Sequence, residues 1–134
     1  MGFRSASLAL ALLLLPTAWS ASDSQAQGNW VLLGQRAVND RADHDVIAVT
    51  AARGDFRRIK LTVQRAAVDF HRMVVHFGNG SRQEVELRNT IPAGGESRAI
   101  DLTGDDRVIR SVEFWYDART IRGRRAVVRL FGHR

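Results

Sequence analysis

The chain has 134 residues, 45% of them apolar and 25% charged, a composition that suits one folded domain. It contains no cysteine, which excludes disulfides, thiolate nucleophiles, Cys-ligated zinc and iron–sulfur clusters. Lys and Arg total 20 against 14 Asp and Glu, a formal net charge of +6, and Lys60 is the single lysine, so the basicity is almost wholly planar, permanently charged guanidinium.

Arg4 lies in a short polar start, residues 8–15 are an unbroken apolar run, Pro16 ends it, and Ala18 and Ser20 put small residues where a signal peptidase reads. A membrane-spanning helix needs about 17–25 apolar residues, roughly twice this run. The expectation is a cleaved secretory signal over residues 1–20, with Ser24 and Ala26 offering a second site that moves the cut to after residue 26. The first cut removes Arg4 alone, leaving 19 cations against 14 acids, or +5; the second also removes Asp23 and restores +6. A secreted or periplasmic protein with no transmembrane segment after cleavage is expected. Residues 28–134 then form a single domain, long enough to bury a core without disulfides.

From Gly28 onward, short apolar-alternating runs are separated by Gly, Asn and Asp clusters, and no long stretch has a 3.6-residue period. Residues 30–33 open the series, and residues 45–50 follow an Asn/Asp-rich loop. Residues 58–64 alternate strictly, with Ile59, Leu61 and Val63 on one face and Arg58, Lys60, Thr62 and Gln64 on the other. Residues 68–77 end apolar on both faces, as a strand central to its sheet does. They run into Gly78-Asn79-Gly80-Ser81, where Asn-Gly predicts a type I′ hairpin turn because both central residues of that turn need positive φ. Residues 83–87 return, 91–95 make a Pro/Gly loop, and 98–102, 109–116 and 125–131 complete eight strands with no helix between them. Parallel sheets need long crossovers. The fold class is therefore all-β, a two-sheet antiparallel sandwich of about eight strands, with the jelly roll as one topology it admits.

The order of motifs, Leu32-Leu33-Gly34, Asp43-His44-Asp45-Val46-Ile47, Phe77-Gly78-Asn79-Gly80, Ile91-Pro92-Ala93-Gly94-Gly95, Ile100-Asp101-Leu102 and Val112-Glu113-Phe114-Trp115-Tyr116, resembles a family of small exported bacterial proteins whose domain has no assigned function. The motifs are turn and core residues. The segment from Arg107 to Tyr116 is also similar to late strands of discoidin-like and carbohydrate-binding jelly rolls, which implies a ligand-binding module with loops at one end of the sandwich. Neither resemblance supplies a catalytic residue.

Six features are candidates for chemistry. Asp40, Asp43 and Asp45 crowd hard oxygens into one loop, as Ca²⁺ requires, but without EF-hand spacing; Asp and Asn are equally ordinary turn formers, and Arg41 neutralises one charge. The acidic turn at residues 104–107 reads the same way. His71 and His76 share a strand, but an offset of five puts them on opposite faces, because side chains alternate with period two, so they are not expected to share an ion. No nucleophile elbow accompanies His44, His71, His76 or His133. A carboxylate pair for glycoside hydrolysis, such as Glu84 with Glu113, forms in space rather than in sequence, and both of these sit in alternating strands where a solvent-facing acid is ordinary. The arginines fall around the third strand, including Arg58 with Lys60, and at the C-terminus, including Arg122 and Arg125. Converging on one face, they form an anion-binding surface. Trp115 lies on the face opposite Phe114 and Tyr116 and, exposed, is a ligand platform. The expectation is a non-catalytic binding module needing no cofactor, with anionic glycan or lipid headgroups as partners and no nucleic acid. A small hydrolase and a structural subunit of an envelope assembly are its rivals.

Overall fold

A computed structural model describes residues 29–118 and 125–134. These residues form nine strands: β1 (Trp30–Val38), β2 (His44–Ala48), β3 (Asp55–Phe56), β4 (Arg58–Gln64), β5 (Val68–Phe77), β6 (Arg82–Ile91), β7 (Ile100–Asp101), β8 (Arg107–Tyr116) and β9 (Ala126–His133). They form two antiparallel sheets in the orders β1-β9-β4-β7 and β2-β8-β5-β6, with β3 also on β8. β2 and β3 line the same edge of β8, at Ser111–Trp115 and at Arg107–Val108, interrupted by a 3₁₀ turn at Ala51–Arg53. With that broken edge strand counted once, every connection except the β5–β6 hairpin passes from one sheet to the other, the double Greek-key wrapping of a jelly roll. Neither sheet closes into a barrel; β1 and β7 edge one, β2 and β6 the other.

The alternation seen in the sequence becomes the core. Ile59, Leu61 and Val63 of β4, Val128 and Leu130 of β9, Phe70, Met73 and Val75 of β5, and Val112, Phe114 and Tyr116 of β8 are buried in one cluster between the sheets. The sheets approach closely at Gly132, where a Cβ would stand 2.7 Å from Phe56 and 2.9 Å from Leu33, so only glycine fits there without displacing core rings. Among the described residues no helix is long and apolar enough to cross a membrane.

The strands expected over residues 58–64 and 68–77 end where their patterns end, as β4 and β5, and the others shift. β1 runs past residue 33 to Val38 because a bulge between Leu32 and Gly34 resets its alternation. The strand expected over residues 98–102 shortens to Ile100–Asp101. Ahead of it the backbone of residues 94–97 bonds to β4, with Gly94 N donating to Val63 O, Val63 N to Gly95 O and Ser97 N to Leu61 O. The β5–β6 hairpin forms, but its turn is not type I′: Gly80 has φ +92° and Asn79 does not have positive φ. Phe77 N donates to Ser81 O, Gly80 N to Phe77 O, and the Asn79 side chain accepts from Ser81 N. This is a three-residue loop with glycine at its left-handed position.

Candidate functional site

β4 and β9 are hydrogen-bonded neighbours, with Arg58 opposite His133, Lys60 opposite Phe131 and Thr62 opposite Arg129. Directly opposed residues project from the same side of an antiparallel pair. Since Ile59, Leu61, Val63, Val128 and Leu130 point into the core, the outer face carries Arg58, Lys60, Thr62 and Gln64 beside Val127, Arg129, Phe131 and His133. β1 adds Trp30, Leu32 and Gln35 to the same face. Strand pairing thus brings Arg58 and Lys60 together with Arg129 of the C-terminal stretch, some seventy residues away in sequence.

On this face Lys60 Nζ lies 4.5 Å from the Trp30 ring centroid and 3.2 Å from Glu96 Oε2, with the lysine side chain only 15% exposed. Arg58 Nε stands 3.2 Å from Asp101 Oδ1, and Arg129 Nε donates to Gln35 Oε1 at 3.0 Å. Trp30 meets the His133 ring edge-on at 5.0 Å. A cavity of about 210 Å³ opens between Arg129 and Phe131 and the loop at Gly94, Gly95 and Glu96. Three cations, Arg58, Lys60 and Arg129, face two carboxylates, Glu96 and Asp101. The Arg58–Asp101 pair is exposed on both sides, and such pairs contribute about 0–1 kcal/mol, so an incoming anion can displace the Asp101 carboxylate at little cost.

Trp115 lies elsewhere. It sits on the outer face of the five-stranded sheet, opposite His44 on one neighbour and Arg72 on the other, and the sandwich separates it from Arg58 and Lys60. Arg125 precedes β9 at the far end of the strand from Arg58, on the order of 25 Å away at the usual rise per residue. Arg122 falls outside the described residues, as do both signal-cleavage sites.

Around Trp115 the polar side chains are cross-linked. The Arg72 guanidinium carbon is 3.9 Å from the indole centroid, the His44 ring is 4.7 Å away, and Arg72 Nη1 reaches Glu84 Oε1 at 2.8 Å. Glu113 sits between two imidazoles, with Oε2 at 2.8 Å from His44 Nε2 and Oε1 at 2.5 Å from His76 Nε2. Val74, directly opposite Glu113 on β5, is buried beneath this layer. The hydrogen bond from His76, then that from His44, holds the Glu113 carboxyl below the usual carboxylate range. This is the reverse of the raised value that a general acid for glycoside hydrolysis needs. Its supposed partner Glu84 is bound to Arg72 and stands two strands away, a backbone separation of about 9.5 Å.

His71 and His76 do not follow the regular alternation, because β5 bulges against β8, with Phe70 opposite Tyr116 and Arg72 opposite the next residue, Trp115. The bulge makes residue 71 an extra one, so counting by twos from 71 to 76 does not give their faces. His76 joins Arg72 on the outer face, and His71 is exposed at the bulge.

The acidic loop is built as a turn. Asn39 Oδ1 accepts from Arg41 N, and Asp43 O accepts from Tyr116 N. The Asp45 carboxylate, 13% exposed, accepts from Arg36 Nε at 3.0 Å and from the Tyr116 hydroxyl at 2.9 Å. Burial, then the bond to Asp45, pushes the Tyr116 hydroxyl above its ordinary value. Among the described residues no three His, Asp or Glu side chains are gathered to hold a metal ion.

Comparison with solved structures gives a chain from the "Structural and functional characterization of Pseudomonas aeruginosa AlgX", with a TM-score of 0.53 and 16% identity over 78% of this chain. The match covers 26% of the AlgX chain, about a quarter of its length, and at this identity it shows a shared fold alone. No curated protein matches at the level of sequence. The model of DUF2541, a domain of unknown function, matches residues 7–132, nearly the whole sequence, and the chain belongs to that family.

Proposed function

We propose that the protein is an exported, non-catalytic binding module that holds an anionic envelope or extracellular polymer on the outer face of its four-stranded sheet. The single observation that carries this reading is the β4–β9 pairing, which sets Arg58, Lys60 and Arg129 beside Trp30 and Phe131 on one solvent-facing surface. Guanidinium groups suit planar carboxylate or phosphate partners, and the aromatic rings supply contact area beside them. The export half of the reading rests on the short apolar run and small-residue sites of the N-terminus. Glu113, held ionised between two imidazoles, and Glu84, held by Arg72, weigh against the hydrolase.

The test is titration of the mature protein with dextran sulfate and, separately, with phosphatidylglycerol vesicles, at low and high salt. Wild type should bind one of them with an affinity that falls steeply as salt rises, since charges beyond about 10 Å are screened at 0.1 M. Replacing Arg58 and Arg129 together with Gln should weaken binding several-fold, while Arg72→Gln on the other face leaves it intact. Equal binding by wild type and the double variant at low salt overturns the reading.

A further inference from the structure

We infer that the cavity between β9 and the loop at residues 94–96 is a subsite for one carboxylated pyranose ring, a uronic acid unit of an acidic polysaccharide. The inference rests on the anion-binding reading of this face and narrows its partner from any anionic polymer to that class. Arg129 and Thr62, directly opposed on β9 and β4, line the cavity with Phe131, Gln64 and Glu96. Its volume of about 210 Å³ is below the roughly 300–1,000 Å³ of pockets for drug-sized ligands, which leaves room for one ring rather than several.

The polar side chains of this cavity are left without protein partners. Arg129 Nε donates to the neutral amide of Gln35 at 3.0 Å, and its two terminal nitrogens meet no acceptor among the described residues. Thr62 and Gln64 make no side-chain hydrogen bond among those residues either, and neither a ring nor a cation covers the half-buried Phe131. The opposite wall is fixed in advance: Gly94 N donates to Val63 O, Val63 N to Gly95 O and Ser97 N to Leu61 O. The hydroxyl of buried Ser97 accepts from Leu61 N and donates to Arg98 O. A cavity braced in this way keeps its shape without a ligand, so binding carries little further ordering cost.

The lining selects the ligand. Lys60 is taken by Glu96 and Arg58 by Asp101, so of these three cations Arg129 is the one without an acid, and the open end of its guanidinium suits one planar carboxylate. Residues 118–125, which lead into β9, include four arginines and no acid, so that segment brings no rival carboxylate. The Phe131 ring gives the C–H face of a sugar its contact area, and Leu32, opposite Phe131 on β1 and 40% exposed, extends that apolar step. Thr62 and Gln64 both donate to and accept from hydroxyls, and the Glu96 carboxylate accepts from them. A phosphatidylglycerol headgroup supplies an anion but no ring, and so leaves Phe131 unused.

The experiment titrates the protein with trigalacturonate, its methyl ester and a hyaluronan hexasaccharide, following backbone amide shifts. Saturable binding of at least one acidic sugar is expected, with shifts centred on Thr62, Gly95, Arg129 and Phe131, and the ester should bind about tenfold more weakly than its acid. Arg129→Gln should abolish the preference for acid over ester, a readout that a loss of packing alone would not move. Phe131→Ala should weaken binding by about tenfold. Thr62→Val, which keeps the branched shape, should weaken it several-fold and serves should the phenylalanine variant fold poorly. Arg72→Gln, on the other sheet, should leave binding unchanged. Absence of saturable binding by both acidic sugars overturns the inference, as do equal affinities for acid and ester, binding that survives both Arg129→Gln and Thr62→Val, or shifts that map away from β4 and β9. In any of those events, retained binding of dextran sulfate or phosphatidylglycerol vesicles keeps the anion-binding face and removes the sugar subsite alone.

Discussion

Each outer face of the sandwich carries one tryptophan with a cation over its ring, Lys60 on Trp30 and Arg72 on Trp115, yet the acids around them are placed differently. On the four-stranded sheet Glu96 and Asp101 come from the sheet's edge, and each meets a single cation. On the five-stranded sheet Glu113 comes from an interior strand and meets imidazoles from both neighbouring strands. An acid at the edge neutralises one group and can be displaced. An acid in the middle joins three strands and fixes the side chains around it. The first arrangement leaves charge for a partner; the second leaves a shaped surface.

Five substitutions test this contrast and the frame that carries it. The largest effect is expected between the faces, at Asp45. Asp45→Ala removes the acceptor of the buried Tyr116 hydroxyl and should cost about 1–3 kcal/mol in urea unfolding. Tyr116→Phe should remove an alkaline sensitivity: the raised hydroxyl contributes fully below its unfolded value of about 10, and that contribution declines as pH rises above it.

Next is Glu113→Gln, expected to cost about 1 kcal/mol near neutral pH. Because the Glu113 carboxyl is held below its ordinary value of about 4.3, its contribution is complete above that pH and is lost as pH falls through the lower folded value. The gap between wild type and variant should therefore close in acid. A gap that stays constant would show that the two imidazoles do not bias this carboxyl.

Gly80→Val should cost on the order of 1 kcal/mol through its backbone alone, since φ +92° resists a β-branched residue while nothing lies within 4 Å of the added Cβ. An unchanged urea midpoint would refute that turn geometry. Smallest is Arg58→Gln, expected to change stability by less than about 1 kcal/mol because its partner Asp101 is 85% exposed. A larger loss would mean that the edge pairs are as structural as the Glu113 bridge.

Residues 58–64 and 68–77 show how much was legible in the sequence. Strict alternation in one and a doubly apolar end in the other set their limits, their inward faces and the central place of β5, because side-chain direction in a regular strand follows from position alone. The class of fold followed from the same period, and so did the placing of Arg58 and Lys60 on a solvent face. Bulges at residues 33 and 71 broke the count, and nothing in the local residue types marks them. The two-residue β3 was too short to carry a pattern at all.

Which strands lie side by side could not be read in this way. That β9 lies between β1 and β4, so that Arg129 joins Arg58 and Trp30, and that β8 lies between β2 and β5, so that Glu113 meets His44 and His76, depends on pairings across tens of residues. Those are chosen by how two whole sheets bury their inner faces together. Local sequence determined which way each side chain points; the tertiary structure alone decided which side chains meet, because hydrogen bonding between strands is nearly indifferent to the residues it joins and only the shared core selects the order.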